Sequence, residues 1–395
     1  MIAKAFDLKL IALLKEIESI GIKLCLVGGA PRDFYLSQTI SKDLDFEIRC
    51  SFADKENWSS YFLNLVNLIK SKKLKYEIFP YQILKVEFSD YSLEFSSPRV
   101  EYFQLNKHAH HNFEALLDPK LSYVESFKRR DFTINAIGVE LDFSGDNIVE
   151  NICDPYDGIE DLKARVLKNI DDDFFKDSVR FLRMIRFSIK LGFEVSPNLL
   201  KNIKRFNLSE LSKFHFFSEM FKTDAASFLN LFSKYIKTYS MDLPEEYNFL
   251  KDVDWPTGKL KTKEHFLVWS ILYKPELVED IQSFFNLPKK SAEKMRSFFN
   301  SFLFLSKLKD EDIKKLLKLS FDEILSSEIL KNLKNFDDKI EFKEMFAFFE
   351  KFKLGISIDM DDLSLIKITN EEFERIKPEQ RSLYKYYIFL KTNYE

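Results

Sequence analysis

The chain has 395 residues, 45% hydrophobic and 31% charged, which allows several structural units around a substantial core and excludes a small disulfide-stapled module. A formal net charge of −3 excludes a large field of one sign, so any contact with nucleic acid must come from a local basic surface. Cys25, Cys50 and Cys153 are odd in number, widely spaced and set in or beside hydrophobic segments, without zinc-binding spacing, which fits reduced core thiols in a cytoplasmic protein.

The start of the chain reads as an amphipathic helix: Asp7, Glu16 and Glu18 interrupt its apolar residues, unlike a signal peptide. No apolar run of membrane-spanning length follows, so no membrane association is expected. A hydrophobic strand over residues 23–27 runs into Gly28-Gly29, where a bare backbone can approach a polyphosphate closely. Pro31 suits the first turn of a helix, whose N-terminus attracts anions, and Arg32-Asp33 follow within it. The next strand, residues 44–49, is preceded by Asp43 and carries Asp45. Residues i and i+2 of a strand share a face, so these two carboxylates project together while Leu44 and Phe46 face the core. Such a pair repels itself unless a cation lies between, and Mg²⁺ is the natural one, because it takes hard oxygen ligands and leaves positions for substrate phosphates. Glycine turn, helix start and Asp-x-Asp, in this order, are the sequence form of a metal-dependent nucleotidyltransferase site.

A helix around residues 58–70 and short strands near 76–79, 84–88 and 92–96 come next, with a last strand over 134–141; together they predict an α/β unit with a mixed sheet. From about Asp157 the apolar period becomes helical. The breaks at 147–158 and 239–256 divide the chain into a head over 1–150, a helical segment over 151–238 and a helical remainder over 239–395. The 42 phenylalanines fall mostly at helix-like spacing and are expected to be core faces, not base-stacking platforms.

Two-metal phosphoryl transfer uses a third carboxylate. Glu94, between Leu93 and Phe95, is the preferred candidate, with Glu87 and Asp90 as competitors. In Arg129-Arg130-Asp131-Phe132-Thr133-Ile134-Asn135-Ala136, Arg130 can pair with triphosphate oxygens and Asp131 can accept from a ribose hydroxyl. A helix opening at Asp171-Asp172-Asp173 would carry Asp177, Arg180, Arg183 and Arg186 at three-residue steps on one broad face. Asp177 and Arg180 together offer an acceptor and a donor. Cytosine and adenine both present an exocyclic amine beside a ring-nitrogen acceptor, so this pair could accept C and A and reject U and G. His108, His110 and His111 lie in a polar loop without an acidic or cysteine partner at ligand spacing, and that loop reads better as a segment closing over the site.

Together, Gly28-Gly29-Ala30-Pro31-Arg32-Asp33, Asp43-Leu44-Asp45, Arg129 to Ala136, Asp154-Pro155-Tyr156-Asp157-Gly158, and Lys176-Asp177-Ser178-Val179-Arg180 with Arg183 and Arg186 resemble the class II tRNA nucleotidyltransferases and their bacterial poly(A) polymerase relatives. The resemblance implies a polymerase-β-like head followed by all-α neck, body and tail, and an activity that adds CCA to tRNA 3′ ends from CTP and ATP. It implies Mg²⁺ on Asp43 and Asp45. Nucleotide contacts would come from Gly28, Gly29, Arg32, Arg130, Asp177, Arg180, Arg183 and Arg186. The implied partners are the tRNA 3′ end, ATP and CTP, with no stable protein partner. Residues 269–296 look more loosely like the family's body and could contact tRNA backbone. Pro31 stands where the family usually has valine. Lys176 stands where it usually has a glutamate that could steady Arg180, a role left to Asp173. A poly(A) polymerase, an enzyme adding only CC or only A, and a non-catalytic RNA-binding protein are the alternatives. The first is disfavoured by residues 358–395, which hold eight acidic and six basic residues.

Overall fold

A computed structural model describes residues 2–50, 57–103, 113–145, 147–288 and 369–375. The chain divides into two units, Met1–Lys251 and Asp252–Glu395.

The first unit is built on a seven-stranded sheet. Helix α1 (Leu8–Ser19) is capped by Asp7, whose carboxylate accepts from the Leu10 N–H at 2.8 Å, and it buries Leu10, Leu13, Leu14 and Ile17 along one stripe. Strand β1 (Ile22–Val27) follows, then α2 (Gly29–Ser37), β2 (Asp43–Cys50), α3 (Trp58–Ser71), β3 (Lys75–Phe79), β4 (Ile83–Phe88) and β5 (Tyr91–Ser96). Strands β6 (Arg99–Phe103) and β7 (Phe113–Leu117) form a separate antiparallel pair. Next come α4 (Tyr123–Phe127), β8 (Gly138–Asp142) and β9 (Val149–Cys153). The sheet order is β3-β4-β5-β2-β1-β8-β9; β2 and β5 run parallel and the other neighbours antiparallel, which is the mixed sheet expected.

Alternation places Leu24, Leu26, Leu44, Phe46, Ile48, Leu84, Val86, Leu93 and Phe95 on one sheet face, where they form a core with the apolar stripes of α1 and α3. Cys25 and Val27 point the other way and pack with Phe127 and Ala136. The free cysteines fit the expectation of thiols in or near the core, Cys25 being fully inside.

The strand expected over residues 134–141 begins only at Gly138. Thr133–Asn135 form a 3-10 turn instead. The reason lies downstream: a Cβ on Gly158 would stand 2.2 Å from the Thr133 carbonyl oxygen, so that turn is seated on the first residue of α5 (Gly158–Ala164). Strand β9 and the β6–β7 pair were not anticipated. Among the described residues, the region after Asp157 is mostly helical, as expected, apart from a parallel pair of two-residue strands, β10 (Val166–Leu167) and β11 (Glu194–Val195).

The helix expected to open at Asp171 is split. Asp172–Lys176 form a 3-10 turn, and α6 (Ser178–Leu191) starts only after Asp177, whose backbone is extended (φ −113°, ψ 110°) and whose carboxylate caps the Val179 N–H at 2.9 Å. Helices α7 (Pro197–Lys201), α8 (Lys213–Met220) and α9 (Ala225–Tyr239) complete the unit. Phenylalanines tie these helices by edge-to-face contacts, Phe181 with Phe206 and Phe232, and Phe216 with Phe228 and Phe232, which agrees with the core reading of that residue.

In the second unit, α10 (Lys263–Tyr273) and α11 (Val278–Phe284) pack Phe266 against Trp255 and Phe285; a short helix, Asn370–Glu374, is also described. Among the described residues no helix is long and apolar enough to cross a membrane.

Candidate active site

Asp43 and Asp45 open β2 on its solvent side, while Leu44 and Phe46 between and beyond them are fully buried. Parallel pairing with β5 sets Asp43 beside Ser92 and Asp45 beside Glu94. Glu94 therefore shares the face of the two aspartates. Its competitors stand further off: Glu87 shares the face but lies two strands from Asp43, exposed and ion-paired with Lys75 at 2.7 Å, and Asp90 is exposed in the β4–β5 turn. Although Asp45 stays open to solvent, surrounding protein displaces enough water to push its carboxyl pKa up, with Arg130 opposing and Asp43 adding to the rise. The Glu94 carboxyl is pushed up by burial and then by the negative charge of Asp45.

The donor set suits a divalent cation: hard carboxylate oxygens on one strand face, each raising the next one's proton affinity, which a cation would relieve. Among the described residues no group of three His, Cys, Asp or Glu lies close enough together to hold a metal; Asp43 and Asp45 are the adjacent carboxylate pair, and Glu94 stands beside Asp45 in the sheet.

Val27 pairs with Asp45, which delivers Gly28 to the same spot. Gly28 has φ +78°, and a Cβ there would stand 3.0 Å from Asp45 Oδ2; only glycine leaves that space open at the N-terminus of α2. Three turns of chain then interlock through one amide. Arg32, 5% exposed, donates from Nη1 to Asn135 Oδ1 at 2.7 Å, and Asn135 Nδ2 donates to Asp131 Oδ1 at 2.9 Å. Asp131 also accepts from the Phe132 N–H at 2.9 Å, and its Oδ2 takes both Nε and Nη2 of Arg183 at 2.6 Å. These four bonds fill the acceptor capacity of a carboxylate, so the expected ribose contact of Asp131 is corrected: it is an anchor for Arg183. Burial alone would raise its pKa, but Arg183, Asn135 and the Phe132 N–H outweigh that and hold it at about 2.

The arginines of α6 do not form one stripe of open cations. Arg183 is taken by Asp131, and Arg186 by Glu219 of α8, which also binds Lys222 at 2.8 Å. Arg180, 6% exposed, sends Nη2 to the Arg129 carbonyl at 2.7 Å, while its Nη1 is buried without a partner among the described residues. Arg130 donates from Nη1 to the Asn135 carbonyl at 3.3 Å, and its buried Nε likewise lacks one. Asp173 does not steady Arg180, because it pairs with Lys176 at 2.6 Å.

One cavity of about 560 Å³ collects these groups: Gly28, Gly29, Arg32, Asp45, Arg130, Asp177, Arg180, Arg183 and Arg186 all line it. Eight cationic side chains face four anionic ones there, which favours a polyanionic ligand. Of the expected site residues, Asp43 and Glu94 flank the cavity through Asp45 without lining it. Asn135, Glu219 and Lys222 were not assigned from the sequence. Asn135 lay within a quoted motif with no role given, and the three-residue spacing of Glu219, near the end of α8, and Lys222, just beyond it, was the signal for the other two. His108, His110 and His111 lie outside the described residues, as does the basic run after Pro288.

A carboxylate pair beside a glycine turn, at the mouth of an arginine-lined cavity on a mixed sheet, is the arrangement expected of a nucleotidyltransferase head. Residues 24–168, well under half of the chain, match the family described as Poly A polymerase head domain. The Multifunctional CCA protein of Chromobacterium violaceum is 29% identical over 184 residues, covering 47% of this chain and 39% of the relative. That of Acidovorax ebreus is 40% identical over 90 residues, covering 22% and 20%. The chain thus spans well under two thirds of these relatives. Among solved structures, a tRNA-processing enzyme in apo form I superposes with a TM-score of 0.53 at 20% identity, covering 96% of this chain and 99% of that one. The Bacillus stearothermophilus CCA-adding enzyme in complex with CTP gives 0.50 at 17%, covering 97% and 92%. Both likenesses concern the fold.

Proposed function

We propose that this protein adds CCA to tRNA 3′ ends from CTP and ATP by metal-dependent nucleotidyl transfer. The observation that carries the reading is the convergence, in one cavity, of Asp45, two arginines whose buried N–H groups have no partner among the described residues, and the Asp177/Arg180 pair. Buried guanidinium donors without acceptors are costly unless a ligand supplies them.

Asp43 and Asp45 would hold Mg²⁺. The chemistry it would supply there is neutralisation of charge on the transferring phosphoryl group and activation of the attacking hydroxyl. Glu94 is the carboxylate beside the pair on the primer's side. Gly28 and Gly29 give the triphosphate access to the α2 N-terminus, and Arg130 binds its oxygens. Asp177 accepts from the exocyclic amine of C or A while Arg180 donates to the ring nitrogen; the Arg129 carbonyl holds the guanidinium in place. Arg32 and Asn135 keep Asp131 and Arg183 in register, and Arg183 and Arg186 add positive potential along the cavity wall.

The test is purified protein with tRNA lacking CCA, CC-ended tRNA and an unrelated RNA, each with single nucleotides and with mixtures. Addition of two C and one A, then arrest, is expected. Long A tails on any RNA without use of CTP would make it a poly(A) polymerase, extension by C alone or A alone would make it half of a split system, and no incorporation would remove the enzymatic reading.

A further inference from the structure

The sheet face bearing Asp43 and Asp45 continues across β5, β4 and β3. Register decides which residues share it: Asp45 pairs with Glu94, Glu94 with Lys85, and Lys85 with Glu77. Partners across a ladder point to the same side. Lys85 therefore stands two strands from Asp45, roughly 10 Å at the usual strand spacing. Its neighbours Leu84 and Val86 are fully buried on the opposite face, so Lys85 is committed to the open one.

The other lysine that β3–β5 place on this face, Lys75, is tied to Glu87 at 2.7 Å. Lys85 is exposed and, among the described residues, makes no ion pair or hydrogen bond, although acidic residues flank it in the ladder. Its charge still lowers the proton affinity of both Asp45 and Glu94.

Its position relative to the cavity gives it a role. The cavity lies on the β1–α2 side of Asp45, with Gly28, Gly29 and Arg130 in its wall. In nucleotidyl transfer the attacking and leaving oxygens lie roughly in line. With the pyrophosphate leaving on the Gly28 side, the attacking 3′ hydroxyl must arrive from the opposite side, over Glu94. The first phosphate behind that hydroxyl then falls towards β4, where an ammonium on a flexible stem matches it as a point charge. We propose that Lys85 is a primer-positioning residue that binds the phosphate of the terminal internucleotide linkage of the RNA 3′ end; this rests on the nucleotidyl-transfer reading above.

The test uses the full chain and a CC-ended acceptor minihelix. Lys85→Ala should raise KM for the minihelix about tenfold and leave KM for ATP unchanged; Lys85→Arg should restore it, and Lys75→Ala should change neither. A minihelix whose last linkage is an uncharged methylphosphonate should lose about as much with the wild-type protein, and almost nothing further with Lys85→Ala, since both remove the same contact. Losses that multiply, or a loss that falls on ATP, would overturn the assignment. Anisotropy of a labelled minihelix needs no turnover: the slope of log K against log salt should fall by about 0.7 in Lys85→Ala. Equal affinity and slope in the two proteins would overturn it even if the protein adds no nucleotide, whereas a wild-type effect on binding without incorporation would indict only the enzymatic reading.

Discussion

Arg183 and Asp131 hold each other side-on, Nε and Nη2 of the arginine both meeting Oδ2 at 2.6 Å across 52 residues of chain. The pair joins α6 to the loop before β8, and Asn135 passes the connection on to Arg32 in α2. The geometry of the cavity wall is thus a property of one buried polar network.

That network makes stability depend on acid. Burial would push the Asp131 carboxyl up, but Arg183 and two hydrogen bonds hold it at about 2, against about 3.9 for an unfolded aspartate. A depressed folded value contributes stability that is fully present above the unfolded pKa and lost as pH falls through the folded one. The shift corresponds to about 2–3 kcal/mol for this buried group. Urea unfolding of Asp131→Asn should therefore be weaker than wild type by about that much near pH 6, with the gap closing between pH 4 and pH 2. A gap independent of pH would show that the carboxylate charge is not what stabilises the network.

Asp43→Ala or Asp45→Ala should abolish nucleotide addition, a loss of more than a thousandfold, because the ions that neutralise phosphoryl charge lose a ligand. Both side chains lie on the solvent side of β2, so the melting temperature should stay within a few degrees of wild type. Glu94→Gln should be severely impaired and Glu87→Gln should not, since only Glu94 pairs with Asp45 in the sheet. Turnover near wild type in either aspartate variant would remove the metal assignment.

Gly28→Ala tests the approach of the substrate. The residue has φ +78°, and its new methyl group would meet Asp45 Oδ2 at 3.0 Å and Arg130 Nη1 at 3.7 Å. Strain of about 1 kcal/mol is expected in unfolding, together with a fall in kcat/KM of at least a hundredfold for CTP and ATP alike. Gly192→Ala, also at positive φ but with nothing near its Cβ, should share the strain and keep the activity.

The parts of this site that could be read in the sequence are those enforced by the core beneath them. Leu44 and Phe46 must go inward, so Asp43 and Asp45 go outward; Leu93 and Phe95 do the same for Glu94. What could not be read depends on contacts made by distant segments. The turn at Thr133–Asn135 follows from Gly158, and the pairing of Arg186 follows from Glu219 on a helix 33 residues away. The arginine spacing on α6 was right while the picture of an open cationic stripe was not, because period alone does not report which carboxylates other elements bring. The start of α6 was misplaced for a similar reason: Asp171 and Asp177 both cap the segment that follows them, and only the tertiary structure makes the first a 3-10 turn and the second a helix.

That cap sharpens the test of base selection. Asp177 uses Oδ1 to hold the Val179 N–H, so Asp177→Ala would remove an N-cap as well as a base contact and cost about 1 kcal/mol of stability. Asp177→Asn separates the two. Asparagine caps as well as aspartate, and with its oxygen kept on Val179 it turns an N–H₂ group outward in place of the second carboxylate oxygen. An amide donor there repels the exocyclic amine of C and A and suits the O4 carbonyl of U. The ratio of kcat/KM for CTP over UTP should fall by about tenfold to a hundredfold, from roughly 1–3 kcal/mol for a bidentate base contact, with the melting temperature unchanged. Arg130→Ala is the contrasting variant: its guanidinium faces Asp45 and the Gly28 turn, where phosphates carry no base information, so all four nucleotides should weaken alike. Steady-state kinetics with CTP, ATP, UTP and GTP decide it. An unchanged C/U ratio in Asp177→Asn, measured on protein of wild-type stability, would take Asp177 out of the base-reading pair and leave Arg180 to discriminate alone.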